Sequence, residues 1–204
     1  FFSKKTEPLE KWKILEPYWP VIKNTGYGRA VCVAFQKLYG VEDLSSKTIK
    51  AVQAGYEKVR KPGFYQYILQ DLSGIESCQV NYTAPPFKET SMPSLLMQDL
   101  SILGMLQGPE FEKYAGPAGI AVGSLAGWHK VIEWWFNTYE RYAVAVKSQN
   151  AYSRDINYDR IPAERVETVF KKVLEKQPVT AEEKKALEDH LFWYAADRAT
   201  KAGL

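Results

Sequence analysis

Apolar and polar positions follow two different rhythms along this chain. Up to about residue 74 the apolar residues recur three and four apart, the period of a helix with one buried stripe. Residues 7–15 fit a short helix, which Pro17 and Pro20 should break. Thr25 then reads as an N-cap for a longer helix whose apolar face is Ala30, Val31, Val33, Ala34 and Leu38. Gly40 stops it. Ser45 or Ser46 caps a third helix to about residue 60, Pro62-Gly63 breaks it, and residues 64–72 make a short helix closed by Gly74.

From residue 75 the rhythm becomes strand, loop, helix. Residues 75–82 alternate like a strand and stop before Pro85 and Pro86. Residues 95–102 are a second strand candidate, although Leu and Met also favour helix and Asp99 is unusual inside an apolar run. Residues 104–123 look like a loop, punctuated by Gly108-Pro109, Gly116-Pro117 and Gly119, with one helical turn over 110–114. Ser124 caps a helix carrying Trp128, Val131, Ile132, Trp135 and Phe136 at helical spacing. That helix leads into Tyr142-Ala-Val-Ala-Val146, an apolar run of the kind found in strands buried on both faces of a parallel sheet. An amphipathic helix over 163–176 follows, and Thr180 with Glu183 forms a capping box for a last helix to about residue 201. A buried strand between helices predicts an α/β fold, whose chemistry sits where strands end.

Composition narrows the classes. With 204 residues, 46% hydrophobic and 25% charged, the chain has the make-up of an ordinary globular protein. A net charge of +3, with bases and acids interleaved, argues against a nucleic-acid partner. No apolar run approaches the ~20 residues that span a bilayer, which argues against a membrane. Cys32 and Cys78 match no metal-knuckle spacing and read as free thiols of a reducing, cytoplasmic compartment. Neither a starting Met nor a signal-peptide pattern is present, so Phe1 reads as a cut end and the chain as stopping mid-fold.

Few residues carry chemistry. His129 and His190 lie on separate helices without HxH or HExxH spacing, and each reads as a packing or surface histidine. Arg29, beside glycines at a helix start, could receive an anion, or the glycines simply form a tight turn. The densest polar cluster next to an apolar strand is Lys147, Ser148, Gln149, Tyr152 and Arg154. A strand-end lysine can hold a substrate anion, form a Schiff base or be carboxylated to bridge metals, and it can equally be a surface tether. Alternation sends Ala143, Ala145 and Lys147 to one face, with Asn81 and Gln98 as polar neighbours at adjacent strand ends.

The stretches WPVIKNTGYGRAVCVAFQKLYG (19–40), IESCQVNY and AVAVKSQNAYSR resemble the metal-dependent amidohydrolase superfamily, in particular its "amidohydrolase 2" branch. The resemblance implies a partial (β/α)8 barrel over 75–204 with residues 1–74 as a helical insertion or cap at the N-terminal side. It implies hydrolysis of a C–N or ester bond, or a related isomerase or lyase step, on a small-molecule substrate, with Zn or Mn at the strand ends of the intact enzyme. Lys147 matches the family's strand-four lysine, a metal ligand when carboxylated. Arg29, Tyr152, Arg154, Asn81 and Gln98 become candidates for substrate binding. The family's histidine and aspartate ligands have no counterparts here, so the chain by itself is expected to bind no metal. The alternative is a non-catalytic α/β binding or assembly module, pairing through open strand edges with another copy or with the remainder of a barrel.

Overall fold

The computed structural model describes residues 7–106 and 110–204, so Phe1 and the Gly108-Pro109 turn lie outside the described residues. Contacts divide the chain into two compact units, Phe1–Gly74 and Ile75–Leu204. In the first, α1 (Pro8–Leu15) is followed by a 3-10 turn and by α2 (Trp19–Ile22). Pro17 and Pro20 open these turns, at positions where a missing N–H costs nothing. Trp12 and Trp19 meet edge to face at 6.0 Å and are buried with Leu44. The Thr25 hydroxyl accepts the Gly28 N–H at 3.1 Å and starts α3 (Gly26–Tyr39), which Gly40 ends at φ 69°. The next helix, α4 (Ile49–Val59), begins later than Ser45 or Ser46 would suggest. Ser45 and Thr48 first close a turn, the Ser45 N–H donating to Thr48 Oγ1 at 2.9 Å. Beyond it, α5 (Phe64–Gln66) continues as a π-helical turn to Leu72.

The second unit contains β1 (Cys78–Val80), β2 (Leu96–Gln98) and β3 (Leu100–Ser101). Two helices follow, α6 (Leu103–Leu106) and α7 (Phe111–Ala118), and then α8 (Leu125–Tyr139). After these come β4 (Val146–Lys147), α9 (Ala163–Leu174) and α10 (Ala181–Ala202). Its core is built on α8. Trp128, Val131, Ile132 and Phe136 are fully buried against Leu106, Phe170 and Leu191. Both core indoles find backbone acceptors: Trp128 Nε1 donates to Met105 O at 2.9 Å and Trp135 Nε1 to Tyr114 O at 3.0 Å. These bonds tie α8 to α6 and α7. From α10, Leu187, Leu191, Ala195 and Ala199 turn inward, one per turn. Its capping box is complete, with Thr180 Oγ1 accepting from Glu183 N and Glu183 Oε2 from Thr180 N.

The expected partial (β/α)8 barrel is absent among the described residues. This chain is mostly helical, with strands of two or three residues in two parallel two-stranded ladders. Residues 104–123, read as loop, largely form α6 and α7. Gly116 and Pro117 fall in the last turn of α7, where the proline gives the ladder no N–H and the helix stops within two residues, and Gly119 closes it at φ 65°. The 142–146 run is not buried on both faces, since Tyr142 is 51% and Val144 44% exposed. Its alanines bring little surface to bury, and the aromatic stripe of α8 already fills the core. Of the anticipated strand, only Val146–Lys147 pairs.

Candidate functional site

Asp99 alone separates β2 from β3, so one segment carries both ladders. On one side it pairs with β1 (Gln79↔Met97, Val80↔Gln98) and on the other with β4 (Leu100↔Val146, Ser101↔Lys147). Asp99 N donates to Val80 O at 2.9 Å, Leu100 N to Ala145 O at 2.9 Å and Ile102 N to Lys147 O at 3.0 Å. Three chain segments thus run side by side and parallel.

Register partners in a parallel pair share a face, and neighbours along a strand alternate. Leu100 and Ile102 enter the helical core, and Val146 packs against it. The opposite face therefore carries Gln79, Asp99, Ser101 and Lys147. Gln79 Nε2 donates to Asp99 Oδ1 at 2.6 Å, as a shared face requires. Asp99 and Ser101 are 2% and 1% exposed, so a carboxylate and a hydroxyl are buried where the other face buries leucine and isoleucine. The Ser101 hydroxyl and Asn81 Oδ1 are both buried without a hydrogen-bond partner. Unsatisfied buried polar atoms are expensive and cluster where binding happens.

Lys147 lies at the C-terminal end of β4, exposed, and its ammonium makes no ion pair or hydrogen bond among the described residues. Asn81 follows β1 on the polar face by alternation and is half-buried. Gln98 is buried, but its amide donates to Val80 O and Asp99 O, both at 2.9 Å, and so braces backbone and not Lys147. Tyr152 is 93% exposed at the end of a 3-10 turn. Arg154 is spoken for. Its guanidinium bonds Glu188 at 3.1 Å and Asp189 at 2.6 Å and lies over the Tyr158 ring. Arg29 belongs to the first unit, exposed in the first turn of α3. The fold thus brings Lys147 and Asn81 onto one polar face, with Ser101 and Asp99 between them.

Two further clusters escaped the sequence reading. The two histidines, 61 residues apart, meet with Nε2 atoms 3.0 Å apart. His190 Nδ1 lies 2.7 Å from Ile161 O and must donate to it, so His190 Nε2 accepts from His129 Nε2–H. Burial, then the electrostatic influence of the adjacent His190 ring, pushes the His129 pKa down to about 4. His129 stacks on Tyr194 at 3.9 Å, and the Tyr194 hydroxyl donates to Glu133. Burial, with the Glu133 charge adding to it, raises that phenol to about 12. Arg198 gathers Glu133 at 2.8 Å and Glu140 at 2.5 Å. The second cluster is Glu188–Asp189 on α10, where Lys185 joins Arg154. It borders an open groove of about 560 Å³ lined by Ser153, Asn157, Lys184 and Lys185. Its charges are already matched within the cluster, which makes it a brace for the 153–159 segment. A signal for the Ser101 face did exist in the sequence, since Asp99 and Ser101 stand two apart in an apolar strand.

A divalent metal would need several donors converging. Among the described residues no group of three or more His, Cys, Asp or Glu side chains could hold one. Lys147 becomes a ligand only once carboxylated, so these residues by themselves do not fit the ion the resemblance implies. A scan against protein-family models finds no match for this chain, and a search of curated proteins finds none either.

Proposed function

We propose that this chain serves a metal-dependent hydrolase of the amidohydrolase type and contributes its strand-end lysine, Lys147. The supporting observation is the polar face of the parallel segments, where Lys147, without an ion pair among the described residues, stands in register with Ser101, whose buried hydroxyl has no partner. A cation at a strand end, in register with a buried hydroxyl that has no partner, is a place for a substrate rather than for packing. The metal's remaining ligands would come from polypeptide other than the described residues. Lys147→Ala in the enzyme carrying this segment should abolish turnover of amide or ester substrates, with partial recovery on adding a short carboxylic acid. Full turnover by that variant would refute the assignment.

A second reading, assembly through open strand edges, has its own observation. The outer sides of β1 and β4 carry no strand among the described residues, and apolar side chains flank them. Ile75 is 37% and Tyr82 39% exposed beside β1, as are Tyr142 and Val144 beside β4. Such edges recruit strands, either from a second copy or from the rest of a larger fold. Sedimentation would show association dependent on concentration, and a Val144→Lys variant should abolish it. A monomer at all concentrations would count against pairing between copies. No helix among the described residues is long and apolar enough to cross a membrane. With Cys32 and Cys78 both free thiols, we place the protein in the reducing cytoplasm.

A further inference from the structure

We propose that His129 and His190 form an exchangeable two-imidazole site for Zn²⁺, which clamps α8 to α10. This is independent of the hydrolase reading, and separate from the ion that the resemblance implies, which would sit at strand ends. Here the ligands lie on two helices. Their Nε2 atoms stand 3.0 Å apart and their ring centres 5.1 Å apart. A tetrahedral Zn²⁺ with Zn–N of about 2.0–2.1 Å holds two nitrogens about 3.3 Å apart and the ring centres about 5.1 Å apart. The Nε2 atoms need to separate by only about 0.3 Å, the rings turning about centres that stay in place.

His190 is already held as a ligand. Its Nδ1–H donates to Ile161 O at 2.7 Å, which fixes the ring and leaves the Nε2 lone pair toward His129, as backbone carbonyls orient metal-binding histidines. His129 has to move its proton from Nε2 to Nδ1, a change of tautomer that gives up only the bond between the rings. Its lowered pKa keeps it neutral, so no proton competes with the ion at pH 7. His190 and Tyr194, the ring on which His129 stacks, line an open groove of about 290 Å³ by which an ion and its waters can enter. The charged groups of that groove, Arg160 and Asp197, are bound to each other at 2.9 and 3.0 Å. Glu133, which faces His129, is held by Tyr194 and Arg198. No third His, Cys, Asp or Glu joins the pair among the described residues, so water completes the coordination. Permanent sites take three or four protein ligands, and two leave the ion exchangeable. The ligands are 61 residues apart in sequence, so an ion between them favours the folded chain over the unfolded one.

The test is a titration of the full chain with Zn²⁺, read by the ring-nitrogen NMR signals of its histidines, of which the sequence holds only these two. One equivalent of the ion should move both Nε2 signals and raise the melting temperature. His129→Gln and His190→Gln should each weaken binding by more than about tenfold and remove the rise in melting temperature. The His129→Gln variant keeps a donor for His190 Nε2 and so keeps the contact between the helices. Should His190→Gln unfold, His129→Gln and the ring signals of the parent carry the comparison. Ring signals unmoved by one equivalent of Zn²⁺ would overturn the proposal. Equal affinity in the parent and in His129→Gln would also overturn it, assigning the ion to the free thiols Cys32 and Cys78 or to surface groups.

Discussion

His129 should make the stability of the second unit fall on mild acidification. Its imidazole is held neutral between Tyr194 and His190, with Glu133 the acid facing it, and its pKa drops from 6.5 to about 4. Between those values the unfolded chain binds a proton that the folded chain refuses, so stability rises with pH in this window. It is fully present above about pH 6.5 and is lost as pH falls toward 4. Linkage over the whole shift gives about 2 kcal/mol between pH 7 and pH 5. The ring is only partly buried, and solvent screening reduces this to about 1 kcal/mol. That corresponds to a fall of about 3–5 °C in the melting temperature for a unit of this size. The assay is urea denaturation of parent and His129→Gln at pH 7 and pH 5. Gln keeps a donor for His190 Nε2 but cannot titrate, so the variant should lose about 1 kcal/mol less than the parent over that range. Equal losses would refute the histidine argument, because the carboxylates with lowered pKa, Asp43, Glu183 and Asp197 among them, act at lower pH.

Arg154→Ala removes the guanidinium from Glu188 and Asp189, leaving Lys185 on Asp189 and Lys184 at 3.8 Å from Glu188. Stranding buried carboxylates this way should cost about 2–4 kcal/mol in urea denaturation. Gly104→Ala places a methyl group against the Tyr114 hydroxyl and ring, inside a packed core, and should destabilise by about 1–3 kcal/mol, read as a lower melting temperature. Thr180→Ala opens one side of the capping box and should cost about 1 kcal/mol by the same measurement.

Local signals were legible in the sequence wherever one residue type settles a backbone question. Thr25, Ser124 and Thr180 cap the helices they were expected to cap, and Gly40, expected to stop a helix, ends it at positive φ. The 142–146 run reads as a buried strand and is half-exposed in the fold, because apolar content does not say what remains to be covered. By the time the chain reaches it, α8 has filled the core with Trp128, Ile132 and Phe136. The histidine pair was invisible for another reason. Its partners sit 61 residues apart, and only the packing of α8 on α10 makes them neighbours. Gln98 and Asn81 looked alike as polar strand-end residues, yet side-chain alternation gave one to the backbone and the other to the polar face.

Lys147 and Arg154 show how burial divides cations that the sequence presents as one cluster. Seven residues apart, both follow the same apolar run, and either could have been chosen to bind a substrate. Arg154 has a planar fork of donors, and the fold sets two carboxylates from one turn of α10 against it, so its donors are spent on holding a loop. Lys147 carries a single flexible ammonium, paired in register with a serine whose hydroxyl bonds nothing. A substrate reaching Arg154 would have to break bonds to buried acids, which would then be left without partners. Reaching Lys147 requires only displacing water from an exposed amine. The availability of its partners, more than the strength of the cation, decides which of the two can act on a ligand, and it favours Lys147.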